Sequence, residues 1–270
     1  MAAAAEEGGI EIPFEAFGVR AAVGASPPSL IESVRELLPP GWKPCAPQDV
    51  GKRFAIVADD MGTYEFVLNG DVINRGLELE LALGMLDSQV RIHLGVKAPD
   101  SVFVHAGVVA QNGRTLVMPA MSFAGKTTLV AALVRAGATY YSDEFAVFDT
   151  EGLVHPYARP LSVRNEGEWN THHPVESLGG TAGDEALPIG TIVITKYRPE
   201  AEWSPRSLSP GEGAMALLAN AIPARERPDH VMRTLTRAAK SATVLEGERG
   251  EADAVANKLL ETLAQPPPTP

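Results

Sequence analysis

Residues 117–128, with the sequence VMPAMSFAGKTT, constrain the fold of this chain more than any other stretch. An apolar run at 115–118 leads into a loop, and an amphipathic helical pattern at 129–136 follows it. Strand, loop, Gly-Lys-Thr and helix, in that order, are typical of a P-loop. Backbone N–H groups of such a loop bind phosphates, Lys126 supplies a mobile positive charge, and the Thr127 hydroxyl completes a Mg²⁺ shell.

The match to the pattern G-x-x-x-x-G-K-[ST] is incomplete, because Ala120 stands where the pattern has its first glycine. Alanine adopts positive φ less readily than glycine, so the bend of this loop is expected to differ. The alternative interpretation is a helix N-terminus that reads Gly-Lys-Thr without binding a phosphate. The residues that follow favour the first interpretation.

Composition limits the partners of this 270-residue chain, which has 34 acidic and 23 basic residues and a net charge of −11. That charge argues against nonspecific binding to nucleic acid or anionic lipid. Cys45 is the single cysteine, which excludes an intramolecular disulfide and a cysteine-based metal site. No apolar run reaches the roughly 18 residues of a membrane span, and the start lacks a secretory signal pattern. We therefore expect a cytoplasmic protein with no nucleic-acid or membrane partner.

Residues 10–95 have an α+β pattern without a catalytic motif, which predicts a structural or substrate-docking extension. The predicted elements are a strand at 14–23, a helix opened by the capping-box residues Ser29 and Glu32, paired strands at 53–59 and 64–69, and a helix at 77–94.

Residues 96–265 have a different pattern, in which strands and helices alternate around the Gly-Lys-Thr segment. The predicted elements are strands at 102–110 and 114–118 joined by a hairpin turn, a strand region at 139–149, extended chain at 153–163, a strand at 190–197, a capped helix from Ser209, a helix at 229–240, a strand at 242–245 and a helix at 251–264. The irregular residues 165–188 are a candidate lid or a disordered insertion.

Asp143 and Glu144 are the best candidates for the carboxylates that a kinase needs, one for the metal and one for the attacking hydroxyl. They follow Lys126 by one helix and lie in the middle of the next strand region, which can pair beside the P-loop strand. Adjacent strand residues point to opposite faces, so one carboxylate is expected to face the reacting groups and the other a metal or a basic partner. The alternative is an exposed acidic pair at a strand end.

His105 lies in the apolar strand before the hairpin, in the sequence VHAGVV. A single histidine on such a strand is either a core residue or a site residue, and spacing alone leaves both interpretations open.

Together these residues resemble the C-terminal domain of HPr kinase/phosphorylase and its HPrK-like relatives. That family has a His-Gly-Val strand, a hairpin, a GDSGxGKS loop, one helix and a strand ending in Asp-Asp. The order here is VHAGVV, QNGRTLVMP, AMSFAGKTT, LVAALVRAGATYY and SDEFAVFD, so the resemblance covers residues 101–164 and extends more loosely towards the C-terminus. It implies an α/β fold with a P-loop kinase core of the HPrK/PEP-carboxykinase-like type at 96–265 and an N-terminal α+β extension at 10–95.

The resemblance also implies roles for single residues, with ATP and Mg²⁺ as cofactors. Lys126 would bind the β- and γ-phosphates, Asp143 would take the proton of the acceptor hydroxyl, and His105 would line the site. Thr127 would ligate Mg²⁺, and Glu144, standing for the second Asp of the family, would join it. The implied nucleotide-binding residues are Ser122, Phe123, Ala124, Gly125, Lys126, Thr127 and Thr128.

The chain departs from the family at two loop glycines, which are replaced by Ala120 and Phe123. Phe123 is expected to narrow or cap the nucleotide pocket. Residues 157–164 replace the family's phosphorylase signature, so neither phosphorolysis nor the protein HPr as substrate is implied. Arg159 and Arg164 in that stretch are candidates for contacts with phosphates or with a carboxylate, or for solvated charges at a strand end.

Three functional hypotheses follow. The first is an ATP- and Mg-dependent kinase that phosphorylates a hydroxyl, either on a serine of a protein or peptide or on a small molecule. The second is a nucleotide-binding module without phosphotransfer. The third is a scaffold partner in a peptide-modification pathway, in which residues 1–95 act and the P-loop is vestigial. The resemblance further implies a homo-oligomer.

Overall fold

A computed structural model describes residues 9–120, 125–163 and 171–265 of the chain. Three of the predicted nucleotide-binding residues, Ser122, Phe123 and Ala124, lie outside this part. Contacts divide the chain into a first unit, Met1–Asp100, and a second unit, Ser101–Pro270. The fold is mixed α/β, with one large mixed sheet in each unit. No helix of the described residues is long and apolar enough to cross a membrane.

The first unit is a six-stranded sheet with two helices. In chain order its elements are β1 (Ile10–Ala16), β2 (Val19–Ser26), α1 (Ile31–Arg35), β3 (Lys43–Pro44), β4 (Lys52–Ala58), β5 (Tyr64–Leu68), β6 (Asp71–Leu77) and α2 (Leu79–Lys97). The strand order is β3-β1-β2-β4-β5-β6, and β2 and β4 are its parallel pair. α1 contacts β2, and α2 contacts β4 and β5.

Two predictions for the first unit are wrong. The single strand at 14–23 is a hairpin, because Phe17 and Gly18 have φ values of 50° and 72° and reverse the chain between β1 and β2. The capping box at Ser29 does not form, since the residue lies in a 3-10 turn that begins at Pro28 and leads into a helix of 5 residues. The pairing of β4 with β5 and the long helix α2 are confirmed.

The second unit has an eight-stranded sheet flanked by helices. In chain order its elements are β7 (Val102–Gln111), β8 (Arg114–Pro119), α3 (Lys126–Arg135), β9 (Thr139–Ser142), β10 (Phe145–Phe148), β11 (Val154–His155), β12 (Leu161–Val163), β13 (Thr171–His173), β14 (Ile189–Tyr197), β15 (Arg206–Leu208), α4 (Pro210–Leu218), α5 (Pro228–Ala239), β16 (Thr243–Arg249) and α6 (Ala252–Ala264). The strand order is β11-β10-β7-β8-β14-β16-β15, β9 also pairs with β7, and β12 pairs with β13.

The strands β8, β14 and β16 are parallel, so their carboxyl ends meet at one edge of the sheet. Alternation along β8 separates two cores: Leu116 and Met118 pack with α3 and α6, whereas Val117 packs with α4 and α5. Helices therefore cover both faces of the parallel strands, as expected for strands buried on both sides.

Two local predictions for the second unit are confirmed, a hairpin turn and a helix cap. Asn112 and Gly113, with φ values of 53° and 71°, join β7 to β8 in a tight hairpin. Ser209 caps α4, and it forms a reciprocal capping box with Glu212.

The predicted strand at 139–149 is interrupted, and its position in the sheet differs from the prediction. The Ser142 hydroxyl accepts hydrogen bonds from the N–H groups of Glu144 and Phe145, which bends the chain between β9 and β10. Both strands pair with β7 rather than with β8, whose other neighbour is β14. Asp143 therefore lies at a bend, not in the middle of a strand.

The irregular segment predicted at 165–188 contains regular structure in its described part. β13 is followed by a 3-10 turn at Val175–Leu178, and Val175 is 5% exposed in the core beside α3. A Cβ on Gly180 would lie 2.2 Å from Val134, so this stretch is packed closely on the helix. Residues 165–170 lie outside the described part.

Candidate functional site

The candidate site begins where the loop after β8 becomes α3. Gly125 is the N-cap of α3 and has a left-handed φ of 75°, a conformation that favours glycine. A side chain there would also meet the Nη2 atom of Arg249 at 3.0 Å. The Gly125 carbonyl accepts the first helical hydrogen bond, from the N–H of Leu129. Local geometry thus explains the glycine before Lys126.

Close packing of α3 on β7 fixes the position of the first helical turn. A Cβ on Gly107 would lie 2.8 Å from Val130 and 3.7 Å from the Cβ of Lys126. The absence of a side chain at Gly107 therefore lets the helix approach the strand. This packing places Lys126 and Thr127 over the strand that carries His105.

Lys126 is half-buried, and its ammonium group donates a hydrogen bond of 2.8 Å to the carbonyl of Ala120. Ala120 is held in turn by its N–H, which donates to the carbonyl of His105. Burial lowers the pKa of Lys126, and the nearby negative charge of Asp143 acts in the opposite direction. The lysine is thus a partly desolvated cation beside the N-terminus of a helix, where anions are favoured.

Asp143 is the carboxylate that the structure brings to Thr127. The Thr127 hydroxyl donates a hydrogen bond of 2.8 Å to Asp143 Oδ2. The Tyr140 hydroxyl lies 2.9 Å from Asp143 Oδ1 and 2.9 Å from the carbonyl oxygen of Arg159. Asp143 is only 9% exposed. Burial, with a further contribution from Asp143, raises the pKa of Tyr140, so its hydroxyl remains a donor.

The other predicted residues lie around this pair. Glu144 is half-buried next to Asp143, and its carbonyl accepts from the N–H of Ala106. The half-buried ring of His105 lies 4.9 Å from the ring of Phe145, centroid to centroid. Thr128 is exposed on the outer side of the first turn.

The described residues contain no group of three or more histidine, cysteine, aspartate and glutamate side chains arranged to hold a metal. Mg²⁺ does not need such a cage, since it is bound by one or two carboxylates together with substrate phosphates and water. The Thr127 hydroxyl with Asp143 is a donor set of this kind. These residues therefore fit a Mg²⁺ ion that arrives with a phosphorylated ligand.

Two residues of the site were missed by the sequence reasoning, Tyr140 and Arg249. Arg249 is 3% exposed, and its guanidinium donates hydrogen bonds to the carbonyls of Gly250 and Gly125, at 3.0 and 3.3 Å. It lies 5.4 Å from the ring centre of Tyr197. A signal for Arg249 was present, because it ends a strand parallel to β8 and so shares the carboxyl edge of the sheet.

No family model and no curated protein matches this sequence.

Chemically, the arrangement offers three features to one ligand. The N-terminus of α3 provides N–H groups and a partial positive charge, Lys126 provides a full one, and Thr127 with Asp143 provides oxygen ligands. A polyphosphate with a bound divalent cation matches all three.

Proposed function

We propose that the second unit is an HPrK-like kinase with a P-loop core, which transfers the γ-phosphate of Mg·ATP to a hydroxyl group. The acceptor is a serine of a protein or peptide, or a small molecule. The observation that carries the proposal is the 2.8 Å hydrogen bond from Thr127 Oγ1 to Asp143 Oδ2, beside Lys126 at the start of α3. A metal-binding hydroxyl, a carboxylate and a phosphate-binding lysine then occur together, as phosphoryl transfer requires.

Lys126 would bind the phosphates by leaving the carbonyl of Ala120, to which it donates 2.8 Å away. Its partial burial supports this role, because a desolvated cation attracts an anion more strongly than a solvated one. Nucleotide phosphates would also accept hydrogen bonds from the N–H groups at the N-terminus of α3. Bound Mg²⁺ would neutralise the charge that develops on the phosphates.

In the chemical step, the acceptor O–H bond breaks and its proton passes to Asp143. An O–P bond forms to the γ-phosphate while the bond to the β-phosphate oxygen breaks, and ADP leaves with that electron pair. Tyr140, which donates towards Asp143 Oδ1, fixes the orientation of the carboxylate. Thr127 and Glu144, which follows Asp143 in the chain, are assigned to Mg²⁺, with Asp143 as the alternative carboxylate ligand. His105 is assigned to the wall of the site. Positioning and charge neutralisation supply most of the rate enhancement.

Calorimetric titration of ATP with Mg²⁺ tests the binding half of this proposal. We expect the wild type to bind, Lys126→Ala to lose at least tenfold in affinity because a charged contact is removed, and Lys258→Ala to match the wild type. Lys258 is a suitable control because it is an exposed helical lysine on α6. Failure of the wild type to bind Mg·ATP would remove both the kinase and the nucleotide-binding module from consideration.

Asp143→Asn tests the chemical half and separates two roles for the carboxylate. If Asp143 is the base, the variant keeps its Mg²⁺-dependent ATP affinity but loses phosphotransfer and slow ATP hydrolysis. If Asp143 holds the metal through its contact with Thr127, the gain in ATP affinity on adding Mg²⁺ disappears too. Binding by the wild type without transfer or hydrolysis would instead favour a nucleotide-binding module.

A further inference from the structure

Arg249 is a buried cation at the edge of the candidate phosphate site, and the described residues offer it no carboxylate partner. The residue is 3% exposed, and no described aspartate or glutamate lies within salt-bridge distance of it. Its Nη atoms donate to two backbone carbonyls, those of Gly125 and Gly250, whereas its buried Nε has no hydrogen-bond partner. The guanidinium thus has donor capacity that the described residues leave unused.

Burial of the charged Arg249 guanidinium at this position destabilises the folded state. Removing a charge from water is unfavourable unless an opposite charge compensates, and carbonyl dipoles compensate only in part. The positive end of the α3 dipole, close to Gly125, adds to this cost. Burial accordingly lowers the pKa of Arg249, although Glu251 and Tyr197 act in the opposite direction. An anion at the N-terminus of α3 would offset both the burial of this charge and the positive end of the helix dipole.

We propose that Arg249 is a second phosphate-binding cation of this site, which works with Lys126 and binds phosphate oxygens of a nucleoside triphosphate. The inference rests on the proposed function, because it uses the same phosphate site. Arg249 is suited to the role since its planar fork matches the oxygens of a phosphate, and its Nη2 already contacts the N-cap residue Gly125. The parallel strands place it there, because β16 and β8 end at the same edge of the sheet.

A purely structural role for Arg249 is the competing explanation. The guanidinium joins the N-cap of α3 to Gly250, just before α6, so it could simply hold the two helices together. Arg135 offers a matched control, because it joins the same helices through an exposed 2.9 Å ion pair with Asp253. A residue that only links α3 to α6 affects stability without affecting affinity for phosphates.

The experiment measures binding of Mg·ATP and of inorganic triphosphate to the wild type, Arg249→Met, Arg249→Lys and Arg135→Met. We expect Arg249→Met to weaken both ligands by about 10- to 100-fold, as for loss of a charged hydrogen bond. Arg249→Lys keeps the charge but lacks the planar fork, so it should lie between Arg249→Met and the wild type. Arg135→Met should bind both ligands like the wild type.

A second measurement needs no variant at this position. The Nε–H signal of Arg249 in the wild-type protein is followed by NMR as inorganic triphosphate is added, and we expect it to shift with saturation. An unmoved Nε–H signal, or variants of Arg249 that unfold more easily yet bind the triphosphate unchanged, would overturn the inference and leave the proposed function intact.

The two proposals also fail in different ways. A wild type that binds triphosphate in an Arg249-dependent manner but binds no ATP would overturn the kinase and support the second cation. A wild type that binds neither ligand would overturn both. ATP binding that depends on Lys126 but not on Arg249 would support the function and refute the inference.

Discussion

The two units of the chain treat buried polar groups differently. Among the described residues, every buried polar or charged side chain lies in the second unit: Thr115, Ser142, Asp143, Thr191, Thr234 and Arg249. The described part of the first unit fully buries only apolar side chains and glycine backbone. Its ion pairs range from solvent-exposed, as in Arg20 with Glu15, to largely buried, as in Arg91 with Asp87, whose side chains are 17% and 16% exposed. Both units nonetheless consist of a mixed sheet with packed helices.

The difference shows where the described residues bury polar groups, which need hydrogen-bond partners inside the protein. Burying a polar group lowers the free energy of unfolding unless its hydrogen bonds are replaced. Ser142, Asp143 and Arg249 lie at the bend beside α3 or at its N-cap, which are the positions of the proposed phosphate site. Three of the six buried polar or charged residues described in the second unit therefore lie at the proposed phosphate site.

The largest expected effect tests the packing of the first unit. Leu86→Ala removes a fully buried side chain of α2 and should lower the free energy of unfolding by about 2–5 kcal/mol, because a cavity remains. Urea unfolding gives the size of the loss, and hydrogen exchange in α2 and β4 gives its location. Leu81→Ala, at a position 45% exposed on the same helix, is the control and should change little. Equal losses in the two variants would contradict this view of the core.

The next effect links packing to the site in the second unit. Gly107→Ala puts a Cβ 2.8 Å from Val130, so α3 must move, and we expect a loss of about 1–3 kcal/mol. Because Lys126 moves with the helix, Mg·ATP affinity should fall as well, which calorimetry measures. Gly211→Ala on α4 is the control, since its Cβ would meet nothing closer than 3.9 Å. Normal stability in Gly107→Ala would show that the helix does not depend on this close approach.

A pH effect on stability is expected in the first unit. Burial, and then the charges of Lys52 and Lys97, lowers the pKa of His93 from 6.5 to about 4. The unfolded chain therefore takes up the proton first, so the free energy of unfolding falls as the pH drops from about 6.5 to about 4. With allowance for solvent screening, the loss amounts to about 1–2 kcal/mol.

The measurement is urea unfolding of the first-unit helix α2, compared between wild type and His93→Gln at several pH values. The variant lacks the titrating group, so its stability should fall less steeply over that pH range. His93 also packs against Phe54, with ring centres 5.7 Å apart, so a constant offset between the proteins is expected and only the slope decides. Parallel slopes would remove His93 as the cause.

The smallest effect is a gain in stability. Gly84 lies in α2 without a positive φ, and a Cβ there would meet nothing within 4 Å. Gly84→Ala should therefore raise the free energy of unfolding by about 0.5–1 kcal/mol through helix propensity. Gly76→Ala is the contrasting variant: its surroundings are equally open, but its φ of 66° strains an alanine and should make the change destabilising. Thermal unfolding of the two variants checks the opposite signs.

The sequence predicted best the structures that neighbouring residues determine alone. The Asn112-Gly113 hairpin and the Ser209 capping box depend on two to four consecutive residues, and both form. Ser29 shows the limit of such reasoning, because the prolines before it open a 3-10 turn and change the helix start. The conformational preference of a short segment therefore predicts its structure well only where the adjacent residues do not favour a different conformation.

The candidate site was predictable in part, because its residue types and order are visible along the chain. Lys126, Thr127 and Asp143 were identified from their spacing, and the structure brings them together. The contact between Tyr140 and Asp143 depends on the bend at Ser142, which no periodic pattern indicates. Arg249 contacts a residue 124 positions away, so its place depends on the strand order of the finished sheet.

That separation between Arg249 and Gly125 also bears on how the second unit folds. The β7–β8 hairpin joins neighbouring residues and can form early, whereas pairing of β14 with β16 and the contact to Gly125 require closure of long loops. The contact between Arg249 and the N-terminus of α3 is therefore expected to form late in folding. A ligand that needs both Lys126 and Arg249 recognises only the finished unit, and at 100 times its Kd it would stabilise that unit by about 2.7 kcal/mol. If the proposed phosphate site is occupied as we expect, binding of its ligand would therefore stabilise the folded second unit.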